Sequence, residues 1–318
     1  MRITNNMVSD RVLADLQSRY AAMADTQLQI STGRRVNAPS DDPLAAAQER
    51  LRLSELSGIK ASQGSVASAQ TALNSSESAM EGVRSVLSRA NELALAGANG
   101  SLSQADRNTI ANEIDQLIKS AKDSMNTKVG DAYIFSGAKS DTPPYADATG
   151  DTYQGDDAAL LRDGGAGVVL QTNPSFVPVN GTPAGAATPL TAASILGNGS
   201  ASGDGRVLDA LTQLSAHLRG GTPADLQAIQ STDLQAIKAN QTAVSSAVSA
   251  IGAMSNRATA AASRLDDLED TATQSIDDLT GVDLAKAMTD YSAQSAAFQA
   301  SLKVGAQIIQ PSLLQFLS

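Results

Sequence analysis

Residues 237–279 read IKANQTAVSSAVSAIGAMSNRATAAASRLDDLEDTATQSIDDL, and the spacing of their apolar side chains decides the fold. Ile237, Val244, Ile251, Ala258, Leu265, Ala272 and Leu279 stand seven apart. Leu234, Val248, Ala262 and Ile276 share the neighbouring position of the same stripe. An apolar repeat of that period, sustained this long, marks a coiled-coil helix. Many seam positions are Ala or Ser, so a partner helix can approach closely. The helix start is written at Thr222-Pro223-Ala224-Asp225: a cap, Pro at the first helical position and an acid at the third.

A partner helix lies far upstream. Ile59, Val66, Leu73, Met80 and Leu87 also stand seven apart. They follow Ser40-Asp41-Asp42-Pro43, which reads as a helix start with an acidic first turn. The helix runs to about Gly97, a rod of roughly 80 Å. Another helix begins at Ser103, with Asp106 as a capping-box acid and Ile110, Ile114, Leu117 and Ala121 as its apolar face. Between the helical zones, residues 136–205 hold 12 of the 24 Gly and 6 of the 10 Pro. β-like pieces at Tyr133–Phe135, Gly167–Leu170 and Phe176-Val177 are separated there by turn residues. The expected fold is mainly α with a small β-rich insert. Long antiparallel coiled-coil helices come from both chain ends, and the middle domain is inserted at their far end. The expected divisions are 1–43 with 282–318 as a terminal helical domain, 44–135 with 206–281 as the long-helix domain, and 136–205 as the β-rich domain.

Narrower stripes occupy the chain ends. Leu13, Leu16, Tyr20, Met23 and Ile30 form one near the start. Met288, Ser295, Leu302, Ile309 and Phe316 form the other, with Leu284, Tyr291, Phe298 and Gly305 on the adjoining position and Leu313 beside them. Pro311 stands inside this last stripe, and a break in the helix is expected there. Two helices alone would leave the aromatic members wet. Apolar surface of that extent marks a partner, so these residues are the candidate assembly interface. The bland alternative is a coiled coil closed within one chain.

Composition narrows the function classes. The chain of 318 residues has nine aromatic residues, no Trp, no Cys and one His. That is sparse for a compact catalytic core. A net charge of −10 and a pI near 4.6 argue against nucleic acid. No apolar stretch approaches the length of a membrane span. Met1–Asp10 lacks the apolar run of a cleavable secretory signal. His217 has no nucleophile or ligand motif around it and reads as a packing or surface residue. Gly164-Gly165-Ala166-Gly167 lacks the Lys of a phosphate-binding loop and reads as a turn. Asp151, Asp156 and Asp157 do not have the spacing of a calcium loop and read as a solvated acidic loop. Asp266, Asp267, Glu269 and Asp270 read as an exposed helix face, with Glu269 placed to meet a base on the facing helix. No catalytic, metal or cofactor residue is expected.

Two motifs at opposite ends carry a resemblance. Leu28-Gln29-Ile30-Ser31-Thr32-Gly33-Arg34-Arg35-Val36-Asn37, followed by Ser40-Asp41-Asp42-Pro43, resembles the amino-terminal signature of bacterial flagellins. Ala297-Phe298-Gln299-Ala300-Ser301-Leu302, on through Ser312-Leu313-Leu314-Gln315-Phe316-Leu317, is similar to the flagellin carboxy-terminal region. Asp131-Ala132-Tyr133-Ile134-Phe135-Ser136-Gly137, Pro143-Pro144-Tyr145 and Tyr153-Gln154-Gly155-Asp156 resemble the hook–filament junction proteins of that superfamily. The resemblance implies a structural adaptor of the flagellum rather than an enzyme. It implies ring assembly with copies of itself, contacts with a neighbouring hook-associated protein and with flagellin, and a cytoplasmic chaperone before export. It also implies an extracellular site reached unfolded through the flagellar type III apparatus. A minor filament flagellin is the alternative within that superfamily. A secreted enzyme or an adhesin working through the middle domain is the alternative outside it.

Overall fold

The computed structural model describes residues 5–146, 152–165, 167–176, 187–200 and 202–316, with side chains at 5, 6, 8, 9 and 307–316 outside the description. Its elements are α1 (Asn5–Thr32), α2 (Pro43–Gly97), α3 (Gln104–Met125), β1 (Lys128–Val129), β2 (Ala132–Tyr133), β3 (Leu161–Asp163), β4 (Val169–Gln171), β5 (Ser175–Phe176), β6 (Thr188–Pro189), α4 (Ala192–Leu196), α5 (Val207–Gly220), α6 (Pro223–Ala228), α7 (Leu234–Thr280) and α8 (Leu284–Phe316). A π-turn, Ile229–Asp233, joins α6 to α7. The mainly α reading holds. The β content is sparse: three antiparallel two-stranded ribbons, β1–β2, β3–β4 and β5–β6.

The chain forms two compact units: Ile59–Asp267, and Met1–Gly58 with Leu268–Ser318. α2 and α7 each contribute residues to both.

In the larger unit the heptad positions do what their spacing requires. Ile59, Val66, Leu73, Met80 and Leu87 of α2 are buried, as are Ile237, Val244, Ile251, Ala258 and Leu265 of α7. Gln63 Nε2 donates to Asp266 Oδ1 at 2.9 Å, and Gln230 Nε2 donates to the Ala98 carbonyl at 3.0 Å. Those pairings run the two helices antiparallel. α3 begins at the Ser103 cap, whose hydroxyl accepts from the Asp106 amide. It is tied to α5 by Asp115, which takes Ser215 Oγ at 2.8 Å and Arg219 at 2.6 Å. The expected start at Thr222 is a full capping box with Asp225.

The π-turn adds one residue to the helix just where the lone histidine docks. His217 Nδ1 lies 2.8 Å from Asp233 Oδ2, and Asp233 is buried. Burial raises the Asp233 carboxyl above its ordinary value, opposed by the imidazole. His217 is therefore a packing residue. Gly164–Gly167 closes the β3–β4 hairpin, with Gly165 and Gly167 at positive φ; Ala166 lies outside the described residues. A Cβ at Gly165 would stand 2.9 Å from both Leu265 and Ser62, so this hairpin rests against α7 and α2. Asp266, Asp267 and Asp270 are exposed and Glu269 is half-buried.

Three local expectations are corrected. The strand expected at Tyr133–Phe135 ends at Tyr133, because Phe135 turns into the core and its carbonyl takes the Ala192 amide of α4 at 2.9 Å. The acids expected in the first turn of α2 stand before it: Asp42 caps the helix, its Oδ1 accepting from the Ala45 amide at 3.0 Å. The helix expected to break at Pro311 continues to Phe316. Proline removes one amide donor and strains one turn, and the flanking turns carry the helix on.

Candidate assembly interface

α1 and α8 pair antiparallel within the smaller unit. Thr26 Oγ1 meets Gln294 Oε1 at 3.0 Å, and the Tyr20 and Phe298 ring centroids are 6.0 Å apart. Gly305 lies close against α1: a Cβ there would stand 3.1 Å from Val12 Cγ1 and 3.9 Å from Leu16 Cδ1. No side chain fits that gap without displacing its neighbours, which explains a buried glycine in an apolar stripe.

These contacts divide the candidate residues. The face of α8 turned to α1 is Tyr291, Gln294, Phe298 and Gly305, and the reciprocal face of α1 is Val12, Leu16, Met23, Thr26 and Ile30, all half-buried or buried. The flanks are left uncovered. Leu13, Tyr20, Met288 and Leu302 are 56%, 59%, 56% and 46% exposed. Leu284, expected beside Tyr291 in the seam, is exposed as well. The side chains of Ile309, Leu313 and Phe316 lie outside the described residues. A groove of about 970 Å³ opens along the pair, lined by Met7, Val12, Leu16, Ala300, Val304 and Gly305.

The connections into and out of this helix pair are clamped together. Gly33 ends α1 at φ 69°, the left-handed conformation that glycine adopts without strain. Its carbonyl accepts from the Val282 amide at 3.1 Å, and Arg34 bridges Gly281 as an isolated β pair. The Arg35 amide donates to the Thr280 carbonyl at 2.7 Å, and its guanidinium reaches the Leu279 carbonyl at 2.9 Å and Asp42 at 3.2 Å. Arg34 pairs with Glu49. Asp41 Oδ2 takes the amides of Asn37 and Ala38 at 2.9 and 2.8 Å. These amides hold the Asp41 carboxyl below its ordinary value. The Ala45 amide and then Arg35 do the same for Asp42. The signature from Gly33 to Pro43 is thus a clamp that joins the α1–α2 connection to the α7–α8 connection.

In the larger unit, the motif residues 131–137, 143–145 and 153–156 form a second knot. The Asp156 amide donates to the Ser136 carbonyl at 3.0 Å, and Asp156 Oδ1 accepts from the amides of Ala138 and Ala158 at 2.8 and 3.1 Å. Tyr153 Oη donates to the Phe135 carbonyl at 3.1 Å, and its ring lies 6.0 Å from that of Tyr145. Burial raises both phenols above the ordinary value. Asp157 accepts from Thr191 Oγ1 at 3.1 Å. Two of the three acids read as a solvated loop are therefore structural ligands of backbone and hydroxyl groups. Asp151 lies outside the described residues.

The family model of the bacterial flagellin N-terminal helical region matches residues 3–140, and that of the C-terminal helical region matches residues 234–317. The chain belongs to the flagellin superfamily. Within that superfamily it resembles hook-associated protein 3. The protein of that name from Salmonella typhimurium is 30% identical over 161 residues, 49% of this chain and 50% of its own length. The Escherichia coli protein of that name is 31% identical over 155 residues, 47% of this chain and 48% of its own. The chain spans about half the length of these curated relatives. A Vibrio parahaemolyticus structure assigned as a flagellar hook-associated protein has 25% identity and a TM-score of 0.64, covering 76% of this chain and 100% of that one. The hook-associated protein 3 of Legionella pneumophila, at 18% identity, shares the fold with a TM-score of 0.58 over 72% of this chain and 98% of that one. Among the described residues, no helix of this flagellin-superfamily chain is long and apolar enough to cross a membrane.

Proposed function

We propose that this chain is a structural adaptor of the bacterial flagellum that joins the hook to the flagellin filament. One observation carries the reading: the α1/α8 pair covers one apolar face within the chain and leaves a second, at Leu13, Tyr20, Met288 and Leu302, open to solvent. Uncovered apolar flanks on paired terminal helices suit packing against neighbouring copies, and a head-to-tail contact repeated around an axis closes a ring. In this reading Leu16, Met23, Ile30, Tyr291 and Phe298 set the helix pair. The flank residues, with Leu284, Ile309, Leu313 and Phe316, meet other subunits. Residues 1–43 with 282–318 form the inner assembly domain, 44–135 with 206–281 the long-helix domain, and 136–205 the outer domain.

The partners are copies of this chain, a neighbouring hook-associated protein on one side and flagellin on the other, with a cytoplasmic chaperone before export through the type III apparatus. The working place is the extracellular flagellum. No reaction is ascribed to the chain. The oxygens of Asp156 and Asp157 that would serve an enzyme accept structural hydrogen bonds instead.

Deletion of residues 284–318 tests the reading. The expected cells make hooks without filaments and shed flagellin into the medium, as seen by electron microscopy. Wild-type motility in that deletion would sink it. The alternative of a minor filament flagellin has support in curated flagellins such as that of Listeria monocytogenes, 27% identical over 119 residues. It predicts that the purified chain grows long filaments by itself, whereas an adaptor stops at a short ring.

A further inference from the structure

The chain has seven methionines and no cysteine, so thioethers are its only sulfur. The fold grades their access. Met80 and Met125 are fully buried, Met23 and Met254 are half-buried, and Met7 and Met288 are 61% and 56% exposed. Among the described residues, both exposed thioethers belong to the terminal helix pair. Met7 lines the groove between α1 and α8. Met288 stands on the uncovered flank of α8, one turn from the exposed Leu284 and in heptad register with Leu302.

We infer that, among the methionines of the described residues, Met7 and Met288 are the oxidation sites, and that their conversion to sulfoxides by a peroxide blocks subunit assembly. The second half rests on the assembly reading above. The reaction is a two-electron transfer. The thioether sulfur attacks one peroxide oxygen, an S–O bond forms, the O–O bond breaks, and the peroxide is reduced to water. Access selects the site. Met80 and Met125 offer no path to the oxidant while the fold holds. On the free chain a sulfoxide at position 7 or 288 stays hydrated and disturbs little. In an apolar contact between subunits the Met288 oxygen would lose water without gaining a donor, a costly burial, while at Met7 the groove also holds Arg11 and the loss is smaller. A leucine at either position keeps nearly the same volume and lacks the sulfur.

The test treats the folded full-length chain with hydrogen peroxide and maps the added oxygen by peptide mass spectrometry. Peptides carrying Met7 and Met288 are expected to gain oxygen well before those carrying Met80 or Met125; equal rates overturn the site assignment. Sedimentation velocity across a concentration series then reads association. Treated wild type is expected to need at least about tenfold more protein to associate, a factor set by burying one unpaired polar group. Methionine sulfoxide reductases should restore it. A Met7→Leu, Met288→Leu double variant should associate equally before and after the same treatment. Unchanged association of the oxidised wild type, or equal loss in the double variant, overturns the assembly block. If the untreated chain does not associate at any concentration, the assembly reading fails and the assembly block with it, and the peptide map still decides the sites.

Discussion

Replacing Leu302 with Asp separates the two faces of the terminal helix pair. In the free chain Leu302 is 46% exposed, so roughly half of its apolar burial remains to be gained. Full burial of a leucine contributes about 1.5–3 kcal/mol, which leaves about 1 kcal/mol for assembly. Leu13, Tyr20 and Met288, exposed to similar or greater extent, bring the four residues together to about 4 kcal/mol per subunit contact, nearly three orders of magnitude in association. The aspartate forfeits its share and adds the cost of desolvating a carboxylate, several kcal/mol more. The same change on the free chain is a surface substitution, expected to move stability by about 0.5 kcal/mol. Filament attachment in a complemented deletion strain should therefore fail while the thermal midpoint of the purified chain stays within a few degrees. Normal attachment would refute the assignment of this flank to assembly. A large fall in the midpoint would show instead that Leu302 belongs to the core of the chain.

The remaining predictions probe the seam, the clamp and the balance between the two units. Gly305→Leu forces atoms against Val12 and Leu16, where a Cβ already stands at 3.1 and 3.9 Å. It should cost about 1–3 kcal/mol in the helix pair, read as a reduced helical signal at 222 nm during the early part of thermal unfolding. Asp42→Asn should lower the midpoint at pH 5–8. Because the Asp42 carboxyl is held below its ordinary 3.8 by the Ala45 amide and Arg35, its stabilisation is complete above that value. It is lost as pH falls through the lowered folded value, so the gap between wild type and variant should close below about pH 3.8. A gap that widened in acid would contradict the clamp. Hydrogen exchange on the free chain should be slow at Leu73–Leu87 and Val244–Ile251 and fast along α1 and α8, and the latter should slow on assembly; uniform protection would contradict an unfinished helix pair.

Much of this fold is legible because burial and period coincide. Every member of the Ile59–Leu87 series, and Ile237 to Leu265 downstream, is apolar, evenly spaced and inside. The caps at Ser103 and Thr222 are equally plain, since a hydroxyl three residues before an acid has a local meaning that tertiary structure did not override. Other features carry no such mark. The π-turn at Ile229–Asp233 inserts one residue with no Gly or Pro to announce it, and it ends at the buried Asp233 that meets His217. The terminal interface is half legible. Apolar spacing identifies the helices and includes both seam and flank residues, but it does not separate them and misses Thr26 and Gln294, whose polar side chains meet in the seam. The meeting of Tyr153 and Asp156 with Phe135 and Ser136 joins motifs far apart in the chain, and single-sequence reading sees only that both are unusual.

The mixed seam explains how one helix pair can be both ordered and unfinished. A hydrogen bond from Thr26 to Gln294 and a glycine at Gly305 fix register and spacing between α1 and α8, and neither contributes much net stability. Beside the seam, Leu13, Met288 and Leu302 stay exposed, as does most of Tyr20 although its ring meets Phe298. Had those residues faced inward, each chain would bury its own apolar surface and little would drive it toward a neighbour. The clamp from Gly33 to Pro43 compensates by holding the two connections together through backbone bonds and the Arg35–Asp42 pair, so the helices start side by side even while their flanks are open. The larger unit has no need of such a device, since its long heptad faces are already buried. Apolar burial is thus concentrated in the long helices and the middle region, while the chain ends keep exposed apolar flanks. Under the assembly reading proposed above, that division suits a subunit that binds firmly only when its place beside other subunits is available.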